Sequence, residues 1–345
     1  MDILSMTRAE IADSFKENSI PAFRAKQVYE WLHKHAVLNY DEMTNLPLDL
    51  RGRLKEEYPV IACSIKSSQT ASDGTVKILF SLPDGDYIEC VIMKYKYGYS
   101  ICVSTEVGCK MGCAFCASTI GGFKRRLTPG EMLSQLYLAR GYIGDRISHI
   151  VLMGMGEPLD NYDNVLRFLK LVTDENGQNI SMRNISLSTC GLVDRIYDLQ
   201  KENLQLTLSV SLHAPNNNIR NKIMPVNNRY DIEELLDACR SYTKETSRRI
   251  SFEYAMLSGV NDSDENALEL ARRLKGMLCH VNLIPVNEVE GSAFKPSSPK
   301  RVKAFAEILA KNGVNATVRR KLGSDIDASC GQLRLKQNKQ EEELK

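Results

Sequence analysis

The stretch from about residue 100 to about residue 320 repeats one pattern, in which a short run rich in β-branched residues alternates with a longer run of helical spacing. Repeated strand–helix units predict parallel strands with helices packed outside them, an α/β fold. With six such units, the natural closure is a full or partial barrel, whose functional residues lie at the C-terminal ends of the strands. The strand candidates are "HIVLMG", "NISLSTC", "LTLSVSL", "ISFEYAML", "HVNLIPV" and "NATVRR".

The segments on either side of this repeat have different patterns. In "PAFRAKQVYEWLHKHA", Val28 and Leu32 recur at helical spacing, and "NLPLDLRGRLKEEY" has the pattern of a second helix. Next, "VKILFSL" and "DYIECVIMKY" alternate like strands around the turn "PDGD". We predict a helical accessory domain at 1–58, a hairpin and linker at 59–95, the barrel at 96–320 and a C-terminal segment at 321–345.

Charge and hydropathy exclude some classes of protein and leave others open. The formal net charge is only +2, so the overall field gives no argument for a nucleic-acid partner. No apolar run approaches the roughly 20 residues that span a bilayer, and the N-terminus lacks the apolar core of a signal peptide. We therefore expect a cytoplasmic protein with no membrane partner. Local basic clusters, which taken alone indicate solvated faces, lie at 124–126, 248–249, 300–301 and 319–321.

Ten cysteines are unusual for such a chain, and three of them are closely spaced. A static disulfide framework is not expected in the cytoplasm, so metal binding or catalysis is favoured where cysteines cluster. Cys109, Cys113 and Cys116 follow a C-x3-C-x2-C spacing. Structural zinc takes four ligands, whereas three thiolates suit a [4Fe–4S] cluster with one iron left open for a substrate. The isolated Cys63, Cys239 and Cys279 are interpreted as core residues.

The cysteine spacing, with Phe115 before its last cysteine, resembles that of the radical S-adenosylmethionine (SAM) superfamily. Six further segments resemble, in order and over nearly the whole chain, the adenine-C2 RNA methyltransferases of the RlmN type. This resemblance implies a partial (β/α)6, TIM-like radical SAM barrel. The six segments are "LMGMGEPLDN", "LSTCGLV", "SLHAPNNNIRNKIMPVNNRY", "YAMLSGVND", "NLIPVN" and "GSDIDASCGQL".

The resemblance also implies the residues that hold the cofactors. The three clustered cysteines would ligate the [4Fe–4S] cluster, and its open iron would chelate SAM. The family's SAM-binding positions each follow a strand candidate, although Ser188 or His213 taken alone would be interpreted as an ordinary hydrogen-bonded strand-end residue. Those positions are Gly156, Glu157, Ser188, Ser211, Leu212, His213 and Asn287.

The family's catalytic residues would be Cys330, Cys102 and Glu89. A thiolate can attack a methyl sulfonium, whereas carbon 2 of adenine is electron-poor and cannot. In the family, the cysteine matched by Cys330 takes the methyl group from one SAM, and a second SAM yields the radical that activates that methyl. The resulting protein–RNA adduct is resolved by the cysteine matched by Cys102, through a transient disulfide, with Glu89 as the proton acceptor. Without the resemblance, Cys102 and Glu89 would be interpreted as ordinary strand residues, and Cys90 and Cys190 are taken as structural.

The family's substrates are an adenosine of the peptidyl-transferase region of 23S rRNA and, in many members, the adenosine beside the tRNA anticodon. The resemblance therefore predicts 23S rRNA and tRNA as partners. It further predicts an electron donor such as flavodoxin or ferredoxin, and nothing in the sequence suggests an obligate dimer, so we expect a monomer. The helical domain and the basic clusters at 124–126 and 319–321 are candidate contacts to the RNA backbone.

Two alternatives remain at this point. The sister type methylates C8 of the same adenosine and confers antibiotic resistance, but Pro158 in "GEP" and Pro285 in "NLIPVN" favour the C2 type. A non-enzymatic iron–sulfur or zinc thiol sensor would explain the ten cysteines. It would not explain Glu157, Ser188 and Asn287 at the ends of strand candidates.

Overall fold

A computed structural model describes residues 2–286, 294–320, 322–323, 325–326 and 332–343. Its strands are β1 (Ser64–Thr70), β2 (Val76–Ser81), β3 (Tyr87–Tyr95), β4 (Gly98–Cys102), β5 (Glu106–Val107), β6 (Arg125–Arg126), β7 (Ile147–Leu152), β8 (Ile185–Thr189), β9 (Thr207–Ser211), β10 (Ile250–Met256), β11 (Cys279–Pro285) and β12 (Ala316–Val318). Its α-helices are α1 (Arg8–Glu17), α2 (Phe23–Tyr29), α3 (Leu48–Glu57), α4 (Pro129–Ile143), α5 (Tyr162–Thr173), α6 (Val193–Lys201), α7 (Asn217–Ile223), α8 (Ile232–Thr246), α9 (Asp264–Leu274), α10 (Pro299–Lys311) and α11 (Gln332–Glu343).

One ten-stranded sheet organises the molecule, in the order β1-β2-β3-β4-β7-β8-β9-β10-β11-β12. From β4 to β12 all neighbours are parallel, and each strand from β7 onward is preceded by at least one helix. The prediction of parallel strands with outer helices is confirmed. The small β5–β6 pair lies outside this sheet.

The sheet extends further toward the N-terminus than the sequence predicted. The strand β4, absent from the six candidates, pairs in parallel with β7 and in antiparallel with β3. The predicted hairpin of β2 and β3 is present, and β1 adds a third antiparallel strand. Because β3 hydrogen-bonds to β4, the strands β1, β2 and β3 belong to the same sheet as the parallel strands.

The two faces of the parallel strands differ in polarity. Parallel strands covered on both faces are usually apolar throughout, but here successive residues alternate, as in a half-solvated strand. The outer face packs against the helices through fully buried Leu187, Leu208, Val210, Phe252 and Leu283. The inner face carries Ser188, Ser209, Ser211, Ser251, Glu253 and Asn282. A polar inner face on a curved sheet is suited to holding a polar ligand.

Local signals define where the helices begin and end. At the start of α4, Thr128 and Glu131 form a capping box, with Pro129 as the first helical residue, and Gly144 ends the helix in a left-handed conformation. The predicted helix at the N-terminus is present as α2, which continues as a π-helical turn over Glu30–Lys34. In the described residues, no helix has the length and apolar character that crossing a membrane requires.

The N-terminal helices pack directly on the strand–helix core. The backbone N–H of Gly130 donates to Ser5 Oγ at 2.9 Å, His33 Nδ1 lies 2.8 Å from the Tyr137 hydroxyl, and Arg167 donates to Glu10. Buried apolar side chains form one continuous cluster that extends from the N-terminal helices to the end of the parallel sheet. These helices and the sheet therefore share a single hydrophobic core.

Candidate active site

A cavity of about 390 Å³ lies against the inner face of the sheet. It brings together residues that are far apart in sequence, at the C-terminal ends of strands where parallel α/β folds place their sites. Most of the side chains that the sequence singled out line it: Cys102, Cys109, Cys113, Cys116, Gly156, Glu157, Ser188, Ser211 and His213. Leu212 is fully buried and does not line the cavity, so its contribution would come from its backbone.

The three clustered cysteines lie on a loop that begins after β5. Gly108 starts this loop at φ 81°, and a Cβ there would lie 1.7 Å from the carbonyl oxygen of Gly122, so only glycine fits. All three cysteines are half-buried. Burial, reinforced by the neighbouring Cys116, raises the pKa of Cys113 to about 12, and burial likewise raises the pKa of Cys109. Thiolates in this loop therefore need a compensating cation, which a metal centre provides.

The arrangement of the ligands helps to distinguish a single metal ion from a cluster. Among the described residues, no group of three or more His, Cys, Asp and Glu side chains is placed to hold one metal ion. The three thiols nevertheless face one cavity. Structural zinc takes four protein ligands, whereas three thiolates suit a [4Fe–4S] cluster with one iron left open, so the number of thiols in this loop fits the cluster.

Glu157 is buried at the end of β7, in the loop opposite the cysteines. Its Oε1 accepts a hydrogen bond from Leu159 N at 3.0 Å, and its Oε2 accepts one from Cys190 N at 2.7 Å. Burial raises the pKa of Glu157, and these backbone donors partly offset the shift. The side chains of Thr189 and Cys190 also hydrogen-bond to this carboxylate. Glu157 nevertheless lines the cavity, where an ammonium group of a ligand can donate to it.

The close packing of Glu106 against residue 156 requires a glycine there. Gly156 adopts φ 100°, and a Cβ on it would come within 2.5 Å of Glu106 Cβ. Glu106 accepts from Glu157 N at 2.9 Å and so positions the start of the Glu157 loop. Burial, with the nearby carboxylates Asp160 and Glu157, raises the pKa of Glu106 to about 8. No sequence motif indicated this role for Glu106.

His213 is held in one tautomer by the backbone. Its Nδ1 accepts from Ala255 N at 2.9 Å, so the ring proton resides on Nε2. Burial, aided by Arg220, lowers the pKa of His213 to about 3, and the ring is therefore neutral. Its edge-to-face contact with Phe115, 5.0 Å between centroids, links it to the cysteine loop. His213 can thus act as a fixed, neutral hydrogen-bond donor to a ligand.

Arg220 was not singled out from the sequence, although it lies within one of the motifs. Its guanidinium is fully buried and donates to Cys190 O at 2.6 Å, Leu212 O at 3.2 Å and Asn227 Oδ1 at 2.9 Å. It therefore joins the loops that follow β8 and β9. The candidates Ser188 and Ser211 lie at the ends of these two strands, and Leu212 and His213 follow β9, so Arg220 is a positioning residue for this part of the SAM site.

Glu253 is a second residue that the sequence reading missed. It lines the cavity from β10 and accepts from Ser251 Oγ at 3.0 Å and Asn282 Nδ2 at 2.7 Å. Burial raises its pKa, while Arg319, which also lines the cavity, lowers it. Glu253 could have been identified from the sequence, because it is the one acidic residue in the strand candidate "ISFEYAML".

Cys102 and Glu89 lie on neighbouring strands of the same inner face. Cys102 is buried, lines the cavity and pairs across the strands with Val91, two residues after Glu89. The Glu89 carboxylate is buried against Lys77 Nζ at 2.8 Å, and its other oxygen accepts from Arg334 N. The pairing of Lys77 with Glu89 was not predicted, because Lys77 is one residue of the strand candidate "VKILFSL" and belongs to none of the motifs. Glu89 itself does not line the cavity and is covered by α11.

Asn287 and Cys330 lie outside the described residues. Described residues on either side of Cys330 contact the antiparallel part of the sheet. Asp325 accepts from Ser72 N at 2.9 Å in the turn between β1 and β2, and Leu333 packs with Leu79 of β2 and Tyr87 of β3. Asp325 and Leu333 are therefore held against the sheet that carries Cys102.

Comparisons with known proteins agree with this geometry. The sequence model of the radical SAM superfamily matches residues 103–271, and that of the ribosomal RNA large subunit methyltransferase N-terminal domain matches residues 1–60. The structure aligns with that of a radical SAM methyltransferase from Sphaerobacter thermophilus with a TM-score of 0.93. The two sequences are 43% identical over 96% of this chain and 98% of the other. The fold and the site thus define a radical SAM methyltransferase.

Two curated relatives narrow this class. Proteins named "Probable dual-specificity RNA methyltransferase RlmN" from Clostridium novyi (strain NT) and Clostridium perfringens (strain SM101 / Type A) are 53% and 54% identical. Each alignment covers 96% of this chain, and 97% and 96% of the relative. The chain belongs to the RlmN family of radical SAM RNA methyltransferases. Its cofactors are accordingly a [4Fe–4S] cluster and SAM, its substrate is RNA, and the predicted class of enzyme is confirmed.

Proposed function

We propose that the chain methylates C2 of an adenosine in the peptidyl-transferase region of 23S rRNA and of the adenosine beside the tRNA anticodon. The observation that carries this proposal is the single cavity in which the cysteine loop, Glu157 and Cys102 meet. The choice of C2 over C8 is supported by Pro158 and Pro285, the two residues that favour the C2 type, because both line this cavity. A thiol sensor would have no need for such a cavity.

The cofactors would be held by residues in and around the cavity, together with Asn287, which lies outside the described residues. Cys109, Cys113 and Cys116 would ligate the cluster, and Glu157 would accept a hydrogen bond from the amino group of SAM. The remaining contacts would come from Ser188, Ser211, the backbone of Leu212, the Nε2–H of His213 and Asn287. When bound, the cluster and SAM supply a carbon radical that can remove a hydrogen atom from a methyl group, and two SAM molecules are used per turnover.

The remaining chemistry belongs to side chains of this chain. Cys330 accepts the methyl group on its sulfur and then links that carbon to C2 of the adenine. Glu89, whose carboxylate lies 2.8 Å from Lys77 Nζ, takes the C2 proton. One electron passes from the adduct to an oxidant of the iron–sulfur class, and the Cys102 thiolate then attacks the sulfur of Cys330. An S–S bond forms as the bond between that sulfur and the transferred carbon breaks, and the released carbon takes up a proton from water to become the methyl group. A reductant of the dithiol class then restores both thiols.

The deciding experiment is mass spectrometry of the peptide that contains Cys330, from protein purified without oxygen. We expect a methyl group on Cys330 in the wild type and none in Cys109→Ala, because the methyl donor is bound at the cluster. An unmodified Cys330 in cluster-loaded, SAM-treated protein would contradict the proposed carrier role. Nucleoside analysis of the RNA product then separates 2-methyladenosine from 8-methyladenosine, and parallel reactions on rRNA and tRNA transcripts test both substrates.

A further inference from the structure

The turn between β3 and β4 has an unusual composition that the catalytic site does not explain. Residues 94–99 read "KYKYGY", in which lysines alternate with tyrosines. Lys94, Lys96 and Tyr97 are exposed, and 61% of the Tyr97 surface is open to solvent. Because the Tyr97 ring is exposed, packing of the hydrophobic core does not explain why a tyrosine is present at this position.

The aromatic rings at this turn are stacked in advance of any ligand. The rings of Tyr95 and Tyr97 are parallel within 7°, with centroids 4.9 Å apart, and His149 of β7 lies 4.7 Å from Tyr97 at a tilt of 59°. We refer to Tyr95, Tyr97 and His149 as the aromatic platform. Because its rings already support one another, a further flat ring can stack on Tyr97 with little additional ordering cost.

The platform is continuous with the active-site cavity. Tyr95 packs with Met93 and Cys102, which line that cavity, and lies only two residues from Met93 along β3, a distance of about 7 Å. His149 pairs across the strands with Ser100 of β4, two residues before Cys102. A substrate whose reacting base enters the cavity therefore has its adjoining residues within reach of the platform.

Two exposed lysines flank the platform. Among the described residues, neither Lys94 nor Lys96 takes part in an ion pair, and the Lys94 ammonium lies 5.6 Å from the centre of the Tyr99 ring. The predicted RNA-binding cluster at 124–126 differs. Lys124 pairs with Asp86, Arg125 with Asp84 and Glu131, and Arg126 with Asp160. The charges at the turn are thus more available to phosphates than those at 124–126.

We propose that the aromatic platform stacks an unpaired RNA base that neighbours the target adenosine, while Lys94 and Lys96 contact the adjoining phosphates. Interleaved aromatic and basic side chains are the usual means of holding single-stranded RNA. This inference rests on the proposed function, since it assigns a contact to the same RNA substrate. An acidic protein partner could pair with Lys94 and Lys96. Such a partner would not explain the exposed, stacked ring of Tyr97.

The test measures binding of a 23S rRNA fragment transcript, with 2-aminopurine next to the target adenosine, to cluster-loaded protein. Stacking quenches this fluorophore, so wild-type protein should quench it and Tyr97→Ala should not. We expect Tyr97→Ala to raise the Kd at least about fivefold and Tyr97→Trp to restore binding. Lys94→Ala and Lys96→Ala should each reduce the slope of log affinity against log salt by about 0.7, whereas Tyr97→Ala should leave the slope unchanged.

Tyr197→Ala is the matched control, because Tyr197 is a partly exposed tyrosine of α6, on the outer helical layer. It should bind and quench as the wild type does. Iron content and the thermal midpoint verify that each variant is folded. If Tyr97→Ala binds the transcript and quenches its fluorescence normally, the platform proposal is overturned. It is also overturned if the only effect of Tyr97→Ala is slower reduction of the cluster by a protein electron donor. If wild-type protein does not bind the transcript, the proposed function itself fails.

Discussion

At the scale of single residues, the buried ion pair of Lys77 and Glu89 provides a stability prediction. The Lys77 side chain is fully buried and that of Glu89 is 3% exposed. Lys77→Met leaves a buried carboxylate without its cation, and we expect the free energy of unfolding to fall by about 3–5 kcal/mol. The double variant Lys77→Met/Glu89→Leu should recover most of this loss in denaturant unfolding while remaining inactive. A double variant as unstable as the single one would show that the pair itself is stabilising.

Glu106 provides a pH-dependent prediction. Its pKa is raised from 4.5 to about 8 in the folded protein, so folding takes up a proton between these values. The contribution of Glu106 to stability is therefore greatest below pH 4.5, falls as the pH rises through this window, and is constant above it. The Glu106→Gln side chain does not take up a proton in this pH range, and its amide oxygen can still accept the hydrogen bond from Glu157 N.

We therefore expect the stability of Glu106→Gln relative to the wild type to increase from about pH 4.5 to about pH 8 and then to remain level. Denaturant unfolding of both proteins without oxygen at several pH values measures the difference. Glu265→Gln is a suitable control, because its exposed carboxylate lies on α9, away from the cavity. A constant difference across the pH range would mean that Glu106 is ionised in the folded state.

At the scale of elements, the cysteine loop depends on its first residue. Gly108→Ala would place a methyl group 1.7 Å from the carbonyl oxygen of Gly122, so the loop has to shift. We expect this variant to lose most of its bound iron, measured by chemical assay and visible absorbance. Gly85→Ala is the control, since Gly85 also has a positive φ (86°) but has open space around it. Full iron loading of Gly108→Ala would show that the loop tolerates the displacement.

The elements also show what the sequence could and could not predict. Each of the six predicted strands is present, because hydrophobic alternation and turn residues are local signals. The strand β4 was missed because "GYSIC" is short and has only one strongly apolar residue flanked by polar ones. Its identity depends on pairing with β3 and β7, which is a long-range effect.

Family motifs indicated most of the cavity lining, whereas Arg220, Glu253 and Lys77 act through contacts that spacing does not reveal.

At the scale of the whole molecule, the continuous core predicts one cooperative unit. Ile3, Leu4 and Phe15 belong to the same buried cluster as Met132 and Leu133 of α4. Calorimetry of the full chain should therefore show a single transition over the N-terminal helices and the barrel. Removal of residues 1–58 should lower the thermal midpoint and promote aggregation, because the apolar surface of α4 becomes exposed. Two separate transitions in the full chain would indicate that these helices form an independent domain.

The contact between Ser5 and Gly130 also has a consequence for the synthesis of the chain. These residues are 125 positions apart, and the N-terminal helices complete part of their packing only against elements that are translated much later. At about 5–20 residues per second, the ribosome needs roughly 6–25 seconds to add that length. During this interval the first helices emerge with an apolar surface that has no partner. The growing chain therefore has to shield its beginning, by its own transient collapse or with a chaperone, until α4 leaves the ribosome.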